Sequence, residues 1–419
     1  MNRRHLLLSV AGLATVARAG SLMAAPVHPV VLGVIEYGQS NSEAQAGKQA
    51  RLLRTDYPFA GRLWMPRTDA ENVWLGMATT GGRSYELAED AVTGLMPLRG
   101  AMGSASHGTT AGESMVLRLC EDDPDGDGSI VLFNAAEGGQ SISNLGKNPK
   151  AGHFAFQNLM RTVKAVNTAV QAEGKAYVVR VLLTAQGESN AEDTQLGAKQ
   201  ETVRHEVETA IQALTGQSEA VWMLSVQPSS FFGEGKEVCA ILAEHERSIA
   251  KGGAFFCLGP TYNFPFYSDF LHHTSPGHDM RGELYAIAYE SLVKNGHWEV
   301  LRGLGAQVQG PSQIVVTLTE PAQIDTKGPV YPVQHAGITL TGGEVEAITL
   351  KGDKLLITTK GAAAAVTQVR LGLQGHGEKP RTADKVPRTN IRSVKTYGAY
   401  RDGSPIHKWF CHQVLAVKP

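Results

Sequence analysis

The chain has 419 residues, a net charge of −1 and 19% charged residues, so it offers no electrostatic footprint for nucleic acid or an anionic membrane. Its length exceeds one hydrophobic core and predicts two domains. Four cysteines (Cys120, Cys239, Cys257, Cys411) are too few for a disulfide framework, stand in no metal-ligand or redox spacing, and read as buried thiols.

In chain order, Arg3-Arg4 precede an apolar stretch reaching about Val16, followed by small residues. Residues 1–25 are therefore expected to be an export signal, too short and too weakly apolar for a spanning helix, and their paired arginines look like a twin-arginine signal. A periplasmic or secreted mature chain, not inserted in the membrane, is the expectation. Five apolar runs then predict strands: Val30 to Ile35, Ser129 to Phe133, Ala176 to Leu183, Ala220 to Val226 and Gly253 to Leu258. Helical spacing predicts helices over Phe154 to Ala172, Thr202 to Leu214, Glu237 to Ala250 and Asp279 to Val293. This alternation implies an α/β fold with a mostly parallel sheet covered on both faces. Between Leu53 and Thr110 the sequence is irregular and rich in Gly, Pro, Arg and Trp. It is expected to wall one side of a site. After about Leu301 short β-rich runs alternate with turn pairs such as Gly342-Gly343, predicting a small antiparallel β-sandwich.

Four segments carry chemistry. Gly38-Gln39-Ser40-Asn41 closely follows the first predicted strand, which leaves a hydroxyl at the carboxyl end of a strand, where open α/β sheets bind ligands. Asp269 and His272 stand three residues apart after the last strand, a spacing that lets one turn bring a base and its orienting carboxylate together. Gly139 offers an unshielded backbone N–H and Gln186 a side-chain amide, both suited to stabilising an oxyanion. An isolated serine after a strand is more often a helix cap; four such segments, in order and each after a strand, favour a serine esterase.

These motifs, Gly38-Gln39-Ser40-Asn41, Gly138-Gly139-Gln140-Ser141, Gln186-Gly187-Glu188-Ser189-Asn190 and Asp269-Phe270-Leu271-His272-His273-Thr274, resemble those of the SGNH (GDSL-like) hydrolases. The branch is that of sialate O-acetylesterases and other carbohydrate acetyl esterases, and the resemblance spans roughly Val30 to Val293. It implies a flavodoxin-like three-layer sandwich with a five-stranded, mostly parallel sheet over residues 26–300, followed by an accessory antiparallel β-sandwich over 301–419. It further implies Ser40 as nucleophile, His272 as base and Asp269 as its orienting partner. Ser40 N–H, Gly139 N–H and Gln186 would form the oxyanion hole, with Glu188 bracing the nucleophile loop. Ala111-Gly112-Glu113 stands where the family has G-P-E. Thr184-Ala185 replaces the family's tryptophan before Q-G-E, a change expected to enlarge or polarise the acyl pocket.

The function implied is removal of O-acetyl groups from a glycan or polysaccharide through an acyl-Ser40 intermediate, without a cofactor. Alternatives are a polysaccharide O-acetyltransferase using the same triad, or a non-catalytic glycan-binding protein. Asp123, Asp125 and Asp127 reproduce the start of a calcium loop, but Asn134 stands where a bidentate glutamate is needed, so an acidic turn is the favoured reading. His272, His273, His278 and Asp279 show no separate zinc-ligand spacing. Arg392, Tyr397, Tyr400, Arg401, His407 and Trp409 crowd the last strands, as suits either sugar contacts or packing.

Overall fold

The computed structural model describes residues 29–44, 53–54, 57–59, 61–68, 86–100, 108–190, 192–231, 233–326, 333–374 and 382–419. The expected export signal, residues 1–25, lies outside them, as does much of the irregular region before Thr110. Among the described residues no helix is long and apolar enough to cross a membrane.

The first part alternates strand and helix: β1 (Val30–Glu36), β2 (Leu63–Thr68), β3 (Val92–Pro97), α1 (Ala111–Asp122), β4 (Ser129–Asn134), α2 (Ala155–Ala172), β5 (Ala176–Ala185), α3 (Leu196–Thr215), β6 (Trp222–Gln227), α4 (Lys236–Ala250), β7 (Phe255–Pro260) and α5 (Ser275–Asn295). The five predicted strands are β1, β4, β5, β6 and β7, lying side by side in the order β4-β1-β5-β6-β7 and all parallel. That is the flavodoxin-like order, whose switch point lies beside the first strand. The sheet is wider than expected. β2 pairs parallel with β4, and β3 closes that edge antiparallel to β2, giving seven strands. Both extra strands come from the stretch read as irregular. Pro66 and Gly94 within them suppress the strand pattern, and an edge tolerates both.

Successive residues of β1 serve opposite faces. Leu32 and Val34 join a core with α1 and α5, while Val31 and Ile35 join one with α2 and α3. Helix α1 was not among the predicted helices, although Thr110 caps it: the Thr110 hydroxyl accepts from Glu113 N–H at 3.1 Å. Thr110-x-x-Glu113 was a legible helix start. Helix α5 begins four residues before its predicted start, capped by Thr274 with Pro276 in its first turn.

After α5 the chain becomes β-structure: β8 (Gly303–Gly310), β9 (Gln313–Leu318), β10 (Ala322–Ile324), β11 (Ile338–Thr341), β12 (Val345–Lys351), β13 (Lys354–Thr359), β14 (Gln368–Leu371), β15 (Ile391–Ser393), β16 (Tyr397–Gly398), β17 (Pro405–Ile406) and β18 (Gln413–Lys418). Seven of these hydrogen-bond in the order β11-β14-β18-β8-β9-β13-β12. Every pair is antiparallel except β18 with β8. Alternate residues of β9 and β13, such as Ile314, Val316, Leu355 and Ile357, fill a separate apolar core.

The segment between β14 and β18 does not stay with that core. Val386, Ala399, Ile406, Trp409 and Cys411 are buried in the same cluster as α1, α5 and the parallel sheet. Gln227, at the end of β6, exchanges hydrogen bonds with His412: its Nε2 donates to His412 O at 3.1 Å and its Oε1 accepts from His412 N–H at 2.9 Å. Tyr262 OH donates to Phe410 O at 2.6 Å and Asn263 Nδ2 to Thr389 O at 3.1 Å. The β16–β17 hairpin clasps α5 through Arg401 Nε to Asp279 at 2.9 Å and Tyr400 N–H to Glu283 at 2.8 Å. The C-terminal third thus supplies part of the first domain's core, which an accessory role does not anticipate.

Candidate active site

The turn after β1 needs its glycine. Gly38 has φ +156, and a Cβ there would lie 2.4 Å from Ser42 Oγ and 3.0 Å from Ala185 O. No side chain fits. Tyr37 N–H donates to Leu183 O, Ser42 N–H to Gln39 O, and the Ser42 hydroxyl contacts both Ala185 N–H and Ala185 O. Thr184 and Ala185 are buried at the end of β5, with Ala185 anchoring this turn. Ser40 is left 8% exposed at its crest.

The β7–α5 loop brings up the other two groups. Asp269 Oδ1 accepts from Leu271 N–H at 2.9 Å and His272 N–H at 3.0 Å, so the carboxylate closes its own turn. Its Oδ2 lies 2.6 Å from His272 Nδ1, and His272 Nε2 lies 2.9 Å from Ser40 Oγ. Ser40, His272 and Asp269 therefore form one continuous hydrogen-bonded row. Phe270, between the acid and the base, has φ 49, a left-handed conformation costing a non-glycine residue roughly 1–2 kcal/mol. Strain of this kind gathers at functional sites. Burial pushes the Asp269 carboxyl upward but is outweighed by the hydrogen bonds from the His272 ring and the two backbone N–H groups, which hold it at about 2.

His273 is placed differently. It is buried, stacked on Phe266 with ring centroids 4.4 Å apart, with Nε2 3.0 Å from Thr261 Oγ1. Burial, reinforced by the Arg281 charge, pushes its ring down to about 3.

Glu188 grips both neighbours of the serine, accepting from Gln39 Nε2 and from Asn41 Nδ2, the latter at 2.9 Å. Burial raises its carboxyl above the ordinary carboxylate range. Asn41 is the residue that sequence reasoning quoted in the motif without giving it a role. Its Nδ2 also donates to Leu271 O at 3.1 Å, its Oδ1 accepts from His273 N–H at 3.3 Å, and its backbone O accepts from the buried Arg281 at 2.5 Å. One side chain thereby fixes the serine turn against the histidine loop. Asn41→Ala is expected to lower kcat for an acetyl ester about 10- to 100-fold with KM little changed, because a small misplacement of reacting groups costs that much. Steady-state kinetics beside a thermal melt check it, and unaltered kcat in a folded variant would refute the positioning role.

The loop after β4 docks on the serine turn through Glu137 N–H to Gly38 O at 2.9 Å. Gly139 turns through φ +71 with open space where a Cβ would stand. Gln186 departs from expectation. It is buried, and its Nε2 donates to Gln140 O and Asn190 Oδ1, each at 2.9 Å. Both amide hydrogens are committed, so in this arrangement Gln186 holds the Gly139 loop and has none left for an oxyanion.

The acidic turn has a resident cation of its own. Arg62 donates to Asp123 O at 2.7 Å, Pro124 O at 3.3 Å and Gly128 O at 3.2 Å, so a guanidinium ties the two ends of the turn together. Among the described residues no group of three His, Cys, Asp or Glu side chains is placed to hold a metal ion. All four cysteines are free thiols.

A serine after the first central strand and a histidine–aspartate loop after the last meet across a flavodoxin-like strand order, where the sequence motifs lie. Among solved structures, a carbohydrate acetylesterase from Xanthomonas citri is similar at 16% identity, over 92% of this chain and 80% of its own, with a TM-score of 0.54. A likeness at that identity shows the fold. The structure of NanS (12% identity, 64% of this chain, 97% of its own, TM-score 0.40) and a carbohydrate acetylesterase from Sinorhizobium meliloti (12%, 62% and 99%, TM-score 0.33) are more distantly similar. No protein-family model matches the chain, and no curated protein matches it significantly.

Proposed function

We propose that the protein is a serine esterase that removes acetyl groups from carbohydrates. The carrying observation is the Asp269–His272–Ser40 row, with contacts of 2.6 and 2.9 Å, within the range for a base activating a nucleophile. In this reading His272 Nε2 takes the Ser40 proton as Oγ attacks the acetyl carbonyl. Asp269, ionised, holds Nδ1–H and stabilises the imidazolium. The oxyanion falls to Ser40 N–H and Gly139 N–H. The imidazolium then protonates the departing sugar oxygen, and water, deprotonated by the same ring, releases acetate and frees Ser40.

The carbohydrate half of the proposal is supported by the motif resemblance and by the fold shared with a carbohydrate acetylesterase. Export behind residues 1–25 belongs to the same proposal and suits a glycan substrate outside the cytoplasm. The test is a fluorophosphonate probe with acetate release from an acetylated polysaccharide. Modification at Ser40, read by peptide mapping, together with loss of acetate release is expected. An unlabelled Ser40 in folded protein would point to a non-catalytic glycan binder, and transfer of acetyl into an acceptor glycan without free acetate would point to a transferase.

A further inference from the structure

A cavity of about 400 Å³ opens where the β7–α5 loop, α5 and the C-terminal segment meet. Asn263 lines it from the loop that carries Asp269 and His272, Met280 from α5, and Asp325, Arg392, Ser404, His407 and Trp409 from the C-terminal third. We propose that this cavity is a binding site for a neutral saccharide, a proposal that rests on the carbohydrate esterase reading and adds to it the place where sugar remote from the ester is held.

The chemistry of the walls selects the ligand. Arg392 is half-buried, and its Nε donates to Asp325 Oδ2 at 2.6 Å, so cation and anion compensate each other. His407 Nδ1 sits 3.4 Å from Arg392 Nη1, and burial, then the guanidinium charge, pushes its ring below the ordinary value. A neutral imidazole is both donor and acceptor. An anionic ligand would meet Asp325 and find Arg392 already paired, and an acyl chain would bury these polar groups without partners.

What remains suits a sugar ring, which has an apolar C–H face and a rim of hydroxyls. Trp409 and Met280 supply apolar surface, Trp409 standing edge-on to His407 with ring centroids 6.1 Å apart. Ser404 and His407, both partly exposed, supply hydrogen-bonding groups. Asn263 closes the wall from the β7–α5 loop: it is 5% exposed, and its Nδ2 is held by Thr389 O at 3.1 Å. A cavity of this size, lined mostly by apolar surface with a few polar groups, is the ordinary form of a small-ligand site.

The experiment is saturation-transfer NMR on the full chain with cellobiose, xylobiose, chitobiose and maltose, and with digalacturonate as the anionic comparison. At least one neutral disaccharide should receive saturation. Ser404→Phe, which puts a bulky ring on the cavity wall, should abolish it, and His407→Ala should weaken binding about tenfold, the worth of one hydrogen bond. Both variants should hydrolyse p-nitrophenyl acetate at the wild-type rate, which also shows that they fold. Saturation of digalacturonate alone, of no saccharide, or of Ser404→Phe as strongly as wild type would overturn the proposal. Wild-type protein that binds a disaccharide but leaves p-nitrophenyl acetate intact would sink the esterase reading and leave the binding site standing.

Discussion

His272→Ala should lower kcat for p-nitrophenyl acetate by roughly 10⁴- to 10⁶-fold, as Ser40→Ala should, with the double variant no worse than either, because members of one catalytic row do not act additively. The neighbouring His273→Ala should keep activity per folded molecule within about tenfold of wild type. Its loss is structural. The buried ring stacks on Phe266 and meets Thr261, so its removal leaves a cavity worth about 2–4 kcal/mol of stability. Kinetics paired with denaturant unfolding separate the two effects. A dead, fully stable His273→Ala beside an active His272→Ala would overturn the assignment of the base.

A chain ending at Gly303 is expected not to fold, although it keeps Ser40, His272 and Asp269. It loses Trp409, Ile406, Cys411 and Val386 from the core beneath α1 and α5, and each large apolar side chain so removed forfeits about 1.5–3 kcal/mol. It also strands Gln227, Asn263 and Tyr262, whose partners lie at Thr389, Phe410 and His412, at about 1–3 kcal/mol for each buried polar group left unpaired. Against a total stability of about 5–15 kcal/mol these losses suffice. Circular dichroism and size-exclusion chromatography of the shortened chain provide the measurement. A cooperatively melting monomer active on p-nitrophenyl acetate would show that the C-terminal third is dispensable after all.

The parts that sequence reasoning found are those with strong local signals. β1 and β4 to β7 are continuous apolar runs buried on both faces, and such runs announce themselves without knowledge of their neighbours. Ser40, Asp269 and His272 were legible because the spacing of Asp269 and His272 fits one turn and Ser40 follows a strand. What escaped depends on distant partners. β2 and β3 are edge strands carrying Pro66 and Gly94, residues that local pattern assigns to loops. Gln186 looked like a free donor because nothing near it in sequence shows that Gln140 O and Asn190 Oδ1 take both its hydrogens. The same limit hid Asn41, which acts on Leu271 and His273 more than two hundred residues away. Trp409 and its neighbours were noticed as aromatics beside cations, yet only the fold reveals that Trp409 joins the core of α1 and α5 and also borders the cavity lined by Arg392 and His407.

The return of the chain to its starting core sets an order on how the molecule is made. Gln227 and His412, which close on each other, are 185 residues apart. At about 5–20 residues per second a ribosome needs roughly 10–40 s to span that gap. Throughout it the ends of β6 and β7 and the packing side of α5 lack their cover. Native contacts of such long range also slow folding after release. The half-made chain should therefore depend on a chaperone for that interval, and codons that hasten synthesis beyond β7 should raise its soluble yield more than codons that hasten the strands before it.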